Sequence, residues 1–216
     1  MLELFLEKIR PRFEAILEKR FLKELIVGNL ERKKFLDYLV QDTLYLKDYV
    51  KCYAFLITKT DNIKVIRNLV DCLNIIKEDE STVHVKYLED FGFTEQKALC
   101  EPAVKANRDY LDYMLSTCKN STLARGLTSV LPCAYSYYYI FCFCRDKAKI
   151  YKTYDGNYYK NYIDFYSSAE YSKGLDKLNS LSELIFKNTS SKFEDLYDIF
   201  EKSTNFESNF WDIPFL

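Results

Sequence analysis

Five glycines and four prolines among 216 residues leave this chain almost no material for hairpin turns or phosphate-cradling loops, which depend on residues that tolerate left-handed or fixed backbone angles. The chain therefore reads as nearly all helix. Apolar residues recur at three- and four-residue spacing, as in Leu175, Leu178, Leu181, Leu184 and Ile185, the signature of a helix with one buried stripe. On that periodicity helices are expected over 2–20, 30–60, 62–90, 102–119, 121–149, 156–170, 173–188 and 192–213. Breaks are expected at Val27-Gly28-Asn29, Asp90-Phe91-Gly92-Phe93, Lys119-Asn120-Ser121 and Asp155-Gly156-Asn157, where turn-forming residues meet a lapse in the period. Ser191 stands three residues before Glu194, the spacing of a capping box at a helix start. With no repeat and no linker, residues 1–216 are expected to form a single all-α domain, a helical bundle.

Charge narrows the partners. A formal net charge of −1, with acids and bases dispersed, offers no basic stripe to track phosphates, so nucleic acid is not expected. No apolar run reaches the ~20 residues of a membrane span. The first residues, Met1-Leu2-Glu3-Leu4-Phe5-Leu6-Glu7, carry acids where a signal peptide needs bases, so no membrane association is expected and the cytoplasm is the expected compartment. Seven cysteines, at 52, 72, 100, 118, 133, 142 and 144, are odd in number and irregular in spacing. Most are expected to be reduced core residues. No metal or cofactor motif is present.

Four short clusters carry candidate chemistry. Leu131-Pro132-Cys133 puts a proline inside a helical, aromatic stretch, where the missing N–H and the crowding ring are expected to kink the helix and aim the thiol. Asp42, Tyr45 and Tyr49 fall at i, i+3 and i+7 on a helix that is apolar on nearly every side, so the carboxylate is expected to be buried and in need of a partner. A tyrosine-rich run follows at Tyr159–Tyr166. Near the end Glu207 is followed by Phe210 and Trp211 at i+3 and i+4, and burial beside aromatic rings raises a carboxyl pKa as an acid catalyst requires. For each, an ordinary core role is the competing reading, and most of the 19 tyrosines are expected to serve the core.

In order and spacing these clusters, Gln41-Asp42-x-x-Tyr45-Leu46, Leu131-Pro132-Cys133-x-x-x-Tyr137, Tyr162-Ile163-x-x-Tyr166 and Glu207-x-x-Phe210-Trp211, resemble the thiaminase II (TenA) family of aminopyrimidine aminohydrolases. The resemblance implies a fold similar to haem oxygenase, assembly as a homotetramer, and a pocket for a 4-amino-2-methylpyrimidine. It implies hydrolysis of the bond between the pyrimidine's methylene carbon and an amine or thiazolium, releasing hydroxymethylpyrimidine for thiamin salvage without a cofactor. Carried over residue by residue, Cys133 is the nucleophile, Glu207 the proton donor and Tyr45 the tyrosine that activates the thiol. Asp42 binds the substrate, with Tyr137, Tyr166, Tyr49, Tyr110 and Phe210 in the pocket. Tyr135 and Tyr162 depart from the family, standing where many relatives carry tryptophan.

The chemistry is coherent. A thiolate that adds to the electron-poor ring lets the ring expel the leaving group, and water then completes the exchange. Asp42 is ill suited to activating the thiol, since a nearby negative charge disfavours a thiolate; it suits the substrate's amino group and ring nitrogen instead. The one histidine, His84, lies outside the four clusters and is expected to be a structural or surface residue. It lies mid-chain, where a haem oxygenase-like enzyme would need an axial histidine in its first helix. A di-iron site needs two Glu-x-x-His motifs, and Glu80-x-x-x-His84 has the wrong spacing. The remaining alternative is a non-catalytic pyrimidine- or thiamin-binding protein of the same fold.

Overall fold

A computed structural model describes residues 1–75 and 81–216. Its helices are α1 (Leu2–Ile16), α2 (Arg20–Val27), α3 (Arg32–Ile57), α4 (Ile63–Ile75), α5 (Ser81–Asp90), α6 (Glu95–Cys100), α7 (Lys105–Asn120), α8 (Leu123–Ile150), α9 (Lys160–Tyr166), α10 (Ala169–Phe186) and α11 (Phe193–Phe210), followed by a 3-10 turn at Ile213–Phe215. No strand occurs among the described residues. The all-α expectation holds.

All four expected breaks are present. At Gly28 the backbone is left-handed (φ 77°) and its N–H returns to Glu24 and Leu25, closing α2. Asn157, from another expected break, donates to the carbonyls of Leu25 (2.9 Å) and Ile26 (3.3 Å) and ties the two turns together. The segment limits need correction. The 2–20 stretch ends at Ile16, and two short helices, α2 and α6, lie where none was expected. Thr94 caps α6 by accepting from the Lys97 N–H. Of the expected 62–90 helix, Ile63–Ile75 and Ser81–Asp90 are helical, and residues 76–80 lie outside the described part of the chain. Ser191 caps nothing. Lys192 is the residue before α11 and makes no side-chain cap, while the Ser191 N–H donates to Thr189 Oγ1 instead.

The core is contiguous from Leu2 to Ile213, and α8 runs through it. Small residues let neighbours approach: Ser203 of α11 donates to the Ser129 carbonyl at 2.8 Å, and Tyr49 of α3 donates to the Val130 carbonyl at 3.0 Å. Those two carbonyls lie in the turn before Pro132, whose missing N–H would have bonded the Thr128 carbonyl, and the two hydroxyls tie α11 and α3 to α8 beside that gap. The helix passes through Pro132 without interruption. One sequence expectation is corrected here, because α8 is long and apolar enough to cross a membrane by length and composition. Of its most apolar window, 72% is buried inside the protein, as a core helix requires.

Candidate functional site

Helix α3 supplies one wall of the site. Gln41 holds the helix to the extended segment before α7: its amide donates to the Pro102 carbonyl (3.1 Å) and accepts from the Val104 N–H (3.0 Å) and from Asn107 (3.1 Å). This fixes the next residue, Asp42, facing inward with 3% exposure. One carboxylate oxygen, Oδ2, meets His84 Nε2 of α5 at 2.5 Å and accepts from the Tyr162 hydroxyl of α9 at 3.3 Å. Tyr162 in turn is 3.0 Å from Tyr38, and Tyr38 is 2.6 Å from Tyr137 of α8. All three tyrosines are buried. Burial first, and then the charge of Asp42 with the neighbouring phenols, holds their pKa values well above 10, so each remains a hydroxyl.

The other end is built on Glu207 of α11, 2% exposed. Tyr110 of α7 donates to its Oε1 at 2.7 Å, and Ser136 of α8 lies 3.4 Å from Oε2. Burial raises this carboxyl to about 8; the Asp42 charge adds to the rise, and the hydrogen bonds from Tyr110 and Ser136 oppose it. The expected effect of burial on Glu207 is present. Tyr45 donates to Tyr110 at 3.5 Å and faces Met114 Sδ at 3.6 Å, so two phenols lead to the carboxyl. Burial raises the pKa values of both; for Tyr45 the next cause is Cys133, and for Tyr110 it is Glu207 and then Cys133. The Cys133 carbonyl accepts from Ser136 Oγ at 3.2 Å, the hydroxyl that also reaches Glu207. Cys133 is 8% exposed on α8, one residue past the proline.

Aromatic rings join the two ends. Phe210 meets Tyr38 edge-on (84°, 5.7 Å between ring centres) and also packs against Tyr45 at 5.9 Å. Trp211 stacks on Tyr38 (11°, 5.5 Å), and Tyr166 lies 4.8 Å from Tyr137. Tyr49 stacks on Tyr45 at 5.4 Å, and its hydroxyl donates to the Val130 carbonyl at 3.0 Å. The structure thus brings Asp42, Tyr45, Tyr110, Cys133, Tyr137, Tyr166, Glu207 and Phe210 into one buried region. Among the described residues no group of three metal-ligating side chains accompanies them.

Two members escape the sequence motifs. Of the two places expected for it, structural or surface, His84 takes the buried one: it is 3% exposed and pairs with Asp42. The available signal was a stripe: His84, Tyr87 and Leu88 fall at i, i+3 and i+4 and all are buried. Tyr38 sits one turn before Asp42 on the same face. Tyr162 also gains a place in the network, because its hydroxyl reaches Asp42 and His84.

Comparison with known proteins bears on this arrangement. A Helicobacter pylori protein named aminopyrimidine aminohydrolase is 28% identical over 189 residues, 87% of this chain and 86% of that protein. A TenA homologue from Pyrococcus horikoshii OT3 superposes with a TM-score of 0.84 at 26% identity, covering 99% of this chain and 97% of the other. A Shewanella denitrificans domain of unknown function, described as having a heme oxygenase-like fold, superposes with a TM-score of 0.75 at 14% identity, covering 100% and 92%. The last match bears out the expected fold. The model of the TENA/THI-4/PQQC family matches residues 6–214, nearly the whole length, and the chain belongs to that family.

Proposed function

We propose that this protein is an aminopyrimidine aminohydrolase that converts 4-amino-2-methylpyrimidines carrying a 5-methylene leaving group to hydroxymethylpyrimidine, with Cys133 as nucleophile. The observation that carries the reading is the Tyr45–Tyr110–Glu207 chain of hydrogen bonds leading from the neighbourhood of the thiol to a carboxyl of raised pKa. The family and the relatives named aminopyrimidine aminohydrolase support it.

The chain suits a relay. Glu207 gives its proton to a ring nitrogen, Tyr110 reprotonates Glu207, Tyr45 reprotonates Tyr110, and the thiol proton passes to Tyr45. Every protein group but the sulfur ends as it began, and the thiol proton has in effect moved to the ring. This gives Tyr45 its activating role without a free phenolate, which burial disfavours. The thiolate adds to the electron-poor ring, and electrons returning from the ring break the carbon–nitrogen bond at the methylene, so an amine bound as its ammonium ion leaves as neutral amine. Water adds at the methylene carbon and loses a proton to the departed amine, the sulfur departs, and the ring proton returns to it along the same path. The sum consumes one water and releases hydroxymethylpyrimidine and an amine. Asp42 binds the exocyclic amino group and ring nitrogen, while Tyr137, Tyr166 and Phe210 shape the pocket. Two remaining parts of the reading, a homotetramer and action in the cytoplasm, rest on the likeness to the family.

The test is turnover. Purified protein incubated with 4-amino-5-aminomethyl-2-methylpyrimidine should release ammonia and hydroxymethylpyrimidine in equal amounts. Tight binding of the pyrimidine with no product would instead establish the non-catalytic alternative. Parallel specificity constants for thiamin would identify the preferred leaving group.

A further inference from the structure

We propose that His84 is a positioning residue for substrate recognition, holding the Asp42 carboxylate so that its second oxygen, Oδ1, is the acceptor presented to the pyrimidine's exocyclic amino group. The proposal rests on the function proposed above and assigns a task to the single histidine of the chain.

The argument starts from how the protons are shared. A carboxylate only accepts hydrogen bonds, so at 2.5 Å from Asp42 Oδ2 the His84 Nε2 must carry the hydrogen. The same nitrogen is 3.0 Å from the Tyr162 oxygen; since Nε2–H cannot accept, the hydroxyl proton of Tyr162 is left for Oδ2, 3.3 Å away. Tyr162 can then accept from Tyr38, and Tyr38 from Tyr137, each hydroxyl using its one proton in the direction of Asp42. Oδ2 therefore takes two donors, from α5 and α9. Among the described residues no hydrogen bond reaches Oδ1.

Such a division has a chemical consequence. A buried carboxylate held by one oxygen has little freedom to turn about its last bond, and its free oxygen is a fixed acceptor for one N–H donor. The 4-amino group of the substrate class supplies that donor. The two donors on Oδ2 differ in strength, because the contact from the histidine is the shorter by far. Removing it leaves Tyr162 alone to hold the carboxylate, and Asp42 loses its orientation along with the pairing that makes its burial tolerable.

The experiment uses the full-length protein, hydroxymethylpyrimidine, and the analogue of that pyrimidine lacking the 4-amino group. A glutamine side chain can place an amide N–H near the position of Nε2, whereas asparagine is too short. His84→Asn should weaken binding of the amino-bearing ligand by about 10- to 100-fold, the range for a hydrogen bond to a charged group. His84→Gln should recover most of that loss. Neither variant should change affinity for the analogue, and in an Asp42→Asn background His84→Asn should add nothing further.

Equal affinities of wild type and His84→Asn, or equal weakening of both ligands, would overturn the proposal. If the wild type binds neither pyrimidine, the proposed function fails and this inference falls with it, an outcome distinct from a silent His84 in a protein that binds. Nitrogen NMR of the wild type provides a readout independent of any variant's folding. With one histidine the imidazole signals need no assignment, and the Nε2 resonance should report a bound hydrogen; a bare Nε2 would overturn the argument.

Discussion

The two buried carboxylates differ in the company they keep. Asp42 faces a nitrogen base and a hydroxyl on one oxygen, whereas among the described residues Glu207 has only hydroxyl partners, Tyr110 and Ser136. Burial is nearly the same at both, at 3% and 2% exposure, so what differs between them is the set of partners. Burial raises the Glu207 carboxyl to about 8, and the charge of Asp42 adds to that rise. One acid is thereby placed to grip a donor and the other to deliver a proton.

Variants can break or sharpen this contrast. The largest effect is expected midway between the ends: Cys133→Ser should abolish turnover while hydroxymethylpyrimidine still binds, because an alcohol is a far weaker nucleophile than a thiol near neutral pH. Near-normal activity in that variant would remove the covalent route. Glu207→Gln comes next, with kcat reduced by about 10²–10⁴-fold and ligand affinity nearly unchanged, as for loss of a positioned acid. Asp42→Asn should show the opposite split. Calorimetry should find binding weaker by roughly 1.5–3 kcal/mol, with the rate at saturation much less affected. If both variants moved kcat and affinity together, the two ends would not have separate tasks.

The smallest expected effect is on stability. A carboxyl raised from 4.5 to about 8 holds its proton in the folded protein over a range where the unfolded chain has lost it. Its contribution to stability is therefore complete below about 4.5 and is lost as pH rises through 8. Thermal unfolding followed at pH 5, 7 and 9 should show the melting temperature of wild type falling relative to Glu207→Gln by a few degrees or more, given about 2–4 °C per kcal/mol for a chain of this size. A constant difference between the two would place the Glu207 proton elsewhere.

Much of this was legible in the chain itself. Scarcity of glycine and proline dictates helices, and Asp42, Tyr45 and Tyr49 share a face because α3 is regular over its whole length. Glu207, Phe210 and Trp211 lie where spacing puts them. What escaped depends on tertiary partners. His84 reaches Asp42 across 42 residues, and the stripe it forms with Tyr87 and Leu88 marks burial without naming that partner. The capping box at Ser191 failed because local hydrogen-bonding motifs compete, and the Thr189 side chain took the N–H. The short helix α2 carried too few turns for its period to stand out. The helix expected across Pro132 is continuous, and hydroxyls from α3 and α11 reach the Val130 and Ser129 carbonyls beside the proline.

Infrared titration reads the contrast between the carboxyl groups without recourse to turnover. Difference spectra of the wild type between pH 6 and 9.5, taken against Glu207→Gln, should contain the carbonyl stretch of one buried protonated carboxyl. That band should disappear with a midpoint near 8 and be missing from the variant throughout. In Asp42→Asn its midpoint should move down, because a charge that helps to hold the proton has gone. A wild type with no such band at pH 6, or a band that survives in Glu207→Gln, would contradict the assignment of the proton to Glu207.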